Sequence, residues 1–151
     1  MRMLLNTNIL VRATPASLGG PSWAILQYAA SGSHVLVTSP PLLIELADVL
    51  SRPRLARLHG LSDEAIVRYV TPIEQMAVVV SLPPSAPLAV PDDPKDTAVV
   101  HTALVGDADV ICTRDRHLYH DLVCSYCATH GIQIMDDLNL VRLLRRDAPT
   151  D

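Results

Sequence analysis

The sequence predicts an α/β fold, a three-layer α/β/α sandwich around a central parallel sheet of four or five strands. Three observations carry this expectation. Short apolar runs of strand character alternate with helix-type runs along the chain. Most of the strand-type runs are continuously apolar, the pattern of strands covered on both faces. Ser39-Pro40 and Asp93-Pro94 stand where helices should open, and Gly32, Gly106 and Gly131 where helices should stop.

Taken in order, Arg2–Leu5 reads as the first strand, and a short helical piece follows Asn8. Trp23–Ala30 reads as a helix that stops at Gly32. His34–Thr38 is a second strand. Ser39 before Pro40 is a helix cap followed by a first-turn proline, opening the helix Leu42–Leu50. A short helical piece near Pro53–Leu58 precedes a longer helix, Asp63–Gln75, and the strand Ala77–Val80. Leu82–Pro91 is proline-rich and reads as an extended surface loop. Asp93 before Pro94 repeats the cap and proline pattern and opens the helix Asp96–Val105, which stops at Gly106. Val110–Thr113 is a strand, Asp121–Thr129 a helix ending near Gly131, Gln133–Met135 a last strand and Leu138–Arg145 a last helix. Residues 1–146 read as one domain, and 147–151 as a short tail. The sequence contains no internal repeat.

Length and composition bound the function. At 151 residues the chain suits a single domain with a sizeable core. Apolar residues make up 49%, but there are one Trp, four Tyr and no Phe, so the core must be aliphatic. A net charge of −4 argues against broad electrostatic binding of nucleic acid, although a local basic rim is compatible with it. No apolar run has the length of a membrane span, and the opening MRMLLNTNILV does not read as a secretory signal. Three cysteines without a disulfide-framework pattern point to a reducing cytoplasm.

Four polar residues are placed as if to meet. Asn6 closely follows the first strand and Asp115 follows the strand Val110–Thr113. Glu45 lies on the face of its helix formed by Leu42, Leu46, Val49 and Leu50. Asp96 precedes Val99 and Val100 by three and four residues, on the face that also carries Ala103 and Leu104. An acid within a core-facing stripe is costly unless paired or coordinated. Functional crevices in open parallel sheets lie at the carboxyl ends of the strands. Each residue also has a simpler reading. Asp96 suits a helix first turn, Asp115 can cap the turn RDRHL, Glu45 can be solvated at the stripe's edge, and Asn6 can be a turn residue. It is their coincidence that favours one site.

These residues and their order resemble the PIN-domain family of metal-dependent nucleases, and in particular its bacterial toxin branch (VapC-like). The resemblance covers Met3 to about Leu144. The family's opening strand and Asp-Thr-Asn are matched by Asn6-Thr7-Asn8. Its helical Glu is matched by Glu45, and its Asp-Pro-x-Asp by Asp93-Pro94-Lys95-Asp96. Its Ala-Asp pair is matched by Ala108-Asp109, and its Thr-x-Asp by Thr113-Arg114-Asp115. There are two departures: the family's first acid is Asn6 here, and a frequent further acid is replaced by His117.

The resemblance implies hydrolysis of RNA phosphodiesters assisted by Mg²⁺ or Mn²⁺, held by Asp96, Asp115, Glu45 and the Asn6 position, with Asn8 and Thr113 behind them. It also implies a toxin paired with a cognate antitoxin protein, and a homodimer. An amide offers one neutral oxygen but adds no charge and accepts no proton, so weakened or absent turnover is expected. The alternative is a non-catalytic module that binds RNA or an antitoxin.

Other groups were candidates. Arg52, Arg54 and Arg57, with His59, form a basic cluster after the Glu45 helix, and Arg114 and Arg116 flank Asp115. These arginines are candidate phosphate contacts or ordinary solvated surface. Cys124-x-x-Cys127 falls inside a helical run, which does not suit a redox pair. With His117, His120 and His130 it has metal-ligand residue types, but one helix cannot enclose a tetrahedral ion. A phosphoacceptor receiver domain would need an acceptor Asp on its third strand, which Ala77–Val80 lacks.

Overall fold

The computed structural model describes residues 1–15, 18–83 and 94–149. The first half runs β1 (Arg2–Leu5), α1 (Thr7–Arg12), α2 (Pro21–Ala30), β2 (Val35–Thr38), α3 (Pro40–Ser51), α4 (Pro53–His59), α5 (Asp63–Met76) and β3 (Val78–Val79). The second half runs α6 (Pro94–Val105), β4 (Val110–Cys112), a 3-10 turn (Arg116–Tyr119), α7 (Asp121–Thr129), β5 (Gln133–Met135) and α8 (Asp137–Asp147). The five strands form one sheet in the order β3-β2-β1-β4-β5, and every pairing is parallel. This is the predicted α/β/α architecture. Helices α2, α3 and α6 begin at Pro21, Pro40 and Pro94, ahead of their first apolar-stripe residues, because proline at the first helical position has no amide to satisfy.

Alternation along the central strands divides the core. Met3 and Leu5 face a cluster containing Ile9, Ile25, Leu36, Leu46 and Leu140. Leu4 faces the other side, against Val99, Val100, Ile111 and Leu118. Helix α3 touches both layers, giving Leu46 and Leu50 to one and Leu42 to the other. Each such aliphatic side chain contributes about 1.5–3 kcal/mol when fully buried.

Two expectations need correction. The strand at Val78–Val79 is not covered on both faces, since its residues are 40% and 41% exposed. Among the described residues it is the terminal strand of the sheet and pairs only with β2. Ser39 stands at the cap position of α3 without a side-chain capping bond. Its hydroxyl instead meets that of Thr102 on α6, 2.8 Å away and buried. The expected cap at Asp93, and most of the expected loop Leu82–Pro91, lie outside the described residues.

Gly106 is required by close approach rather than by helix termination alone. A Cβ there would collide with the Val37 side chain on β2. The absent side chain lets the end of α6 sit directly on the sheet.

Candidate functional site

Parallel pairing fixes the centre of the site. Leu5 pairs with Cys112, and the Asn6 amide continues the ladder by donating to the Cys112 carbonyl at 3.0 Å. Asn6 and Thr113 therefore emerge side by side at the carboxyl ends of β1 and β4. The Asn6 Oδ1 accepts the Thr7 amide at 2.8 Å, which caps α1 and fixes which way the side-chain amide points. Its Nδ2 then donates to the Thr113 hydroxyl oxygen at 3.0 Å.

Thr113 is the hub of this end of the sheet, and it is fully buried. Its Oγ1 also accepts the Asn8 side-chain amide at 3.3 Å and the Asp115 backbone amide at 3.0 Å. Asn8 in turn accepts the Arg114 backbone amide at 3.2 Å through its Oδ1. The Tyr119 hydroxyl donates to the Thr113 carbonyl at 2.7 Å. Burial pushes that phenol up to about 12, so it stays a donor at neutral pH. Asn8 and Thr113 thus connect the strand ends behind the acidic residues.

The carboxylates arrive on separate elements. Glu45 comes from α3, and its Oε2 accepts the Thr7 hydroxyl at 3.1 Å. Asp96 lies in the first turn of α6 and is 5% exposed. Asp115 caps the 3-10 turn by accepting the His117 amide at 3.0 Å. Its capping role and its place at the site therefore coexist. The His117 Nδ1 lies 3.6 Å from an Asp96 oxygen and 3.6 Å from an Asp115 oxygen.

Asn6, Glu45, Asp96 and Asp115 line one cavity of about 480 Å³, with Thr7, Asn8, Val11, Arg12, Val49, Leu55 and Arg114. The donor set fits a divalent cation. Ligand atoms of Asp96, Asp115 and His117 all lie within 4.8 Å of one another. Ligands bound at about 2.1–2.3 Å on opposite sides of one ion are about 4.2–4.6 Å apart, so the group has the span of a single site. Carboxylate oxygens suit Mg²⁺ and Mn²⁺, and imidazole favours the transition ion.

The basic candidates separate. Arg114 lines the cavity. Arg52, just past the end of α3, reaches back to Asp48 at 3.3 Å, and Arg54 is exposed on α4. Neither lines the cavity, and nor does Arg116 on the 3-10 turn. Cys124 and Cys127 are free thiols within α7, and burial raises both, Cys127 to about 11. Among the described residues His120, Cys124, Cys127 and His130 form no metal-sized group.

Sequence reasoning missed Arg12 and Asp137. The Asp137 side chain is fully buried at the start of α8. Its Oδ1 accepts the Nε–H of Arg114 at 2.7 Å and lies 2.7 Å from Nη2 of the same guanidinium. Its Oδ2 accepts the Ser22 hydroxyl at 2.6 Å and lies 3.6 Å from Nε of Arg12. Burial opposes ionisation of Asp137, but the Ser22 bond and the Arg114 and Arg12 cations outweigh it and hold the carboxyl below its ordinary range. The signal was present. Asp137 precedes Leu140 and Val141 by three and four residues on the buried face of α8, the relation Asp96 has to Val99 and Val100. Starting the helix at Leu138 hid it.

Residues 2–117 match the family model for the PIN domain. No curated protein matches the chain in sequence. Among solved structures, the chain is similar to VapBC2 from Rickettsia felis bound to a DNA fragment from their promoter. The TM-score is 0.60 at 13% identity, over 90% of this chain and 98% of that one.

Proposed function

This chain belongs to the PIN domain family, and from that premise we propose that it is a metal-dependent endoribonuclease, the toxin of a toxin–antitoxin pair, weakened or silent because Asn6 stands where the family has an acid. The observation that carries the reading is the convergence of Asn6, Glu45, Asp96 and Asp115, from four separate elements, on one cavity.

In this reading Asp96 and Asp115 hold Mg²⁺ or Mn²⁺, with His117 beside them and Glu45 and Asn6 completing the wall. When bound, the ion supplies charge neutralisation at the phosphate and acidifies nearby water. Glu45 is held by Thr7 and stands on a different element from the Asp96, Asp115 and His117 group. We assign it to orient the attacking water and take its proton. Asn6 contributes an oxygen already engaged by the Thr7 amide, and no charge.

A cognate antitoxin is the proposed protein partner, by analogy with the similar solved assembly. A homodimer is proposed from the family resemblance. The three free cysteines suit the cytoplasm. Among the described residues no helix is long and apolar enough to cross a membrane.

The engagement of both ends of the Asn6 amide favours a second reading, a non-catalytic module that binds RNA or an antitoxin. Cleavage of single-stranded RNA by an Asn6→Asp variant, with Mn²⁺ and against an Asn6→Asp/Asp96→Asn control, separates the two. Cleavage that requires Asp96 supports the nuclease. No cleavage by the variant supports the binding module.

A further inference from the structure

We propose that Asp137 is a positioning residue that holds Arg114 and Arg12 as a two-pronged phosphate clamp on the wall of the acidic cavity. The proposal rests on the RNA-binding part of the function proposed above and names how that site takes the backbone of its substrate.

The two guanidiniums come from different elements, the end of α1 and the residue before Asp115. Both line the cavity that holds Asp96 and Asp115. One carboxylate, fully buried on α8, anchors both, through Oδ1 for Arg114 and Oδ2 for Arg12. A hydrogen bond fixes the inner edge of Arg114, and charge attraction at 3.6 Å draws Arg12 to the same carboxylate, while the side chains remain 42% (Arg114) and 50% (Arg12) exposed with their outer edges toward solvent. A guanidinium is a planar fork. When Nε and one Nη are held on one edge, the remaining donors point away in a defined direction.

Ser22 completes the anchor from α2. The arrangement joins α1, α2, α8 and the end of β4 around one charge. Burying a carboxylate is costly, and it returns most when it fixes a geometry. Here it fixes two cations beside an acid cluster. A phosphodiester suits that place, because its two non-bridging oxygens can be shared between a guanidinium and a neighbouring cation. A carboxylate-rich peptide would meet the same arginines with a different geometry.

The test is binding of a fluorescein-labelled 12-residue oligouridine by anisotropy in EDTA, across a salt series, so that cleavage plays no part. Asp137→Asn makes the protein more positive by one charge. A mere field effect would therefore tighten RNA binding, whereas a lost anchor weakens it. We expect Asp137→Asn to bind about tenfold more weakly, and Arg12→Gln and Arg114→Gln each to lower the magnitude of the salt slope by about 0.7. Once Arg12 and Arg114 are both replaced by Gln, adding Asp137→Asn should weaken binding no further. If Asp137→Asn fails to fold, the Arg12→Gln slope carries the test, since its contact is the longer of the two and half exposed. Unchanged slopes for both arginine variants, or an Asp137→Asn protein that binds as tightly as its parent, would overturn the clamp while leaving RNA binding intact. Displacement of the RNA by polyglutamate at equal charge would overturn its phosphate preference. No binding of RNA by the parent protein would sink both the clamp and the function it rests on.

Discussion

The Asn6 side-chain amide donates to the Thr113 hydroxyl oxygen at 3.0 Å, joining the ends of two neighbouring parallel strands at the floor of the cavity. Because the Asn6 Oδ1 is held by the Thr7 amide, the direction of this bond is set: nitrogen gives and hydroxyl receives. A carboxylate at position 6 would have to receive, and the Thr113 hydroxyl would turn to give. The chain as it stands is therefore wired for an amide, and Thr113 is the residue that adapts to an acid.

Thr113→Val keeps the shape and removes the acceptor. Three donors, from Asn6, Asn8 and Asp115, lose their common partner. With the site buried, the expected loss is about 1–3 kcal/mol. Thr113→Ser should retain most of the parent stability. Urea melts of the three proteins give the comparison, and an unchanged midpoint for the valine variant would contradict the hub role.

Arg114→Ala leaves Asp137 buried with weaker compensation. Arg12 and Ser22 remain, so the expected cost is about 3 kcal/mol, at the low end for a broken buried pair. The pH dependence has a definite sign. The folded-state carboxyl of Asp137 titrates below its ordinary value of 3.8. Its stabilisation is therefore fully present above 3.8 and is lost as pH falls below that value and through the lower folded-state one. Melting temperatures from neutral pH down to the acid limb should fall less steeply for Asp137→Asn than for the parent. Parallel curves would rule this out.

Replacing His117 by Ala should weaken Mn²⁺ binding about tenfold and Mg²⁺ binding much less, because imidazole suits the transition ion and Mg²⁺ takes oxygen. Calorimetric titration with each ion reads this directly. Equal losses for both ions would place His117 outside the ligand set.

Gly106→Ala tests the seat of α6 on the sheet. The added methyl meets Val37, so either α6 or β2 must shift. Overpacking of this kind costs about 1–3 kcal/mol. Gly106→Ala/Val37→Ala should recover part of the loss, and failure to recover would place the strain elsewhere.

Much of the fold was legible because alternating apolar runs and proline-opened helices are local signals. Strands Arg2–Leu5 and Gln133–Met135 and helix Asp121–Thr129 match the sequence reading residue for residue. The exposure of β3 was not legible, because strand order is a property of the whole sheet and VVV reads as buried in any position. The gathering of Glu45 and Asp96 could be argued from acids on apolar helix faces. Asp137 carried the same mark but lay one residue before the expected helix start. Arg12 was invisible for a different reason: its partner is 125 residues away and nothing local to α1 points to it. Thr113 was expected behind the acids from its place two residues before Asp115, but its bond to Asn6 was not legible, since only strand adjacency sets the two side by side.

The central claim is that position 6 decides whether this cavity works as a metal site, and metal-dependent melting tests it most directly. Parent and Asn6→Asp proteins are melted in EDTA and at rising Mn²⁺, with Asn6→Asp/Asp96→Asn as the control. The added charge should lower the metal-free melting temperature of Asn6→Asp, because carboxylates already line the cavity. Rising Mn²⁺ should then raise it well beyond the shift seen for the parent, since stabilisation grows with the ratio of ion concentration to Kd. The control should lose that gain. Equal Mn²⁺ shifts for parent and Asn6→Asp, or a shift that survives the loss of Asp96, would contradict the claim.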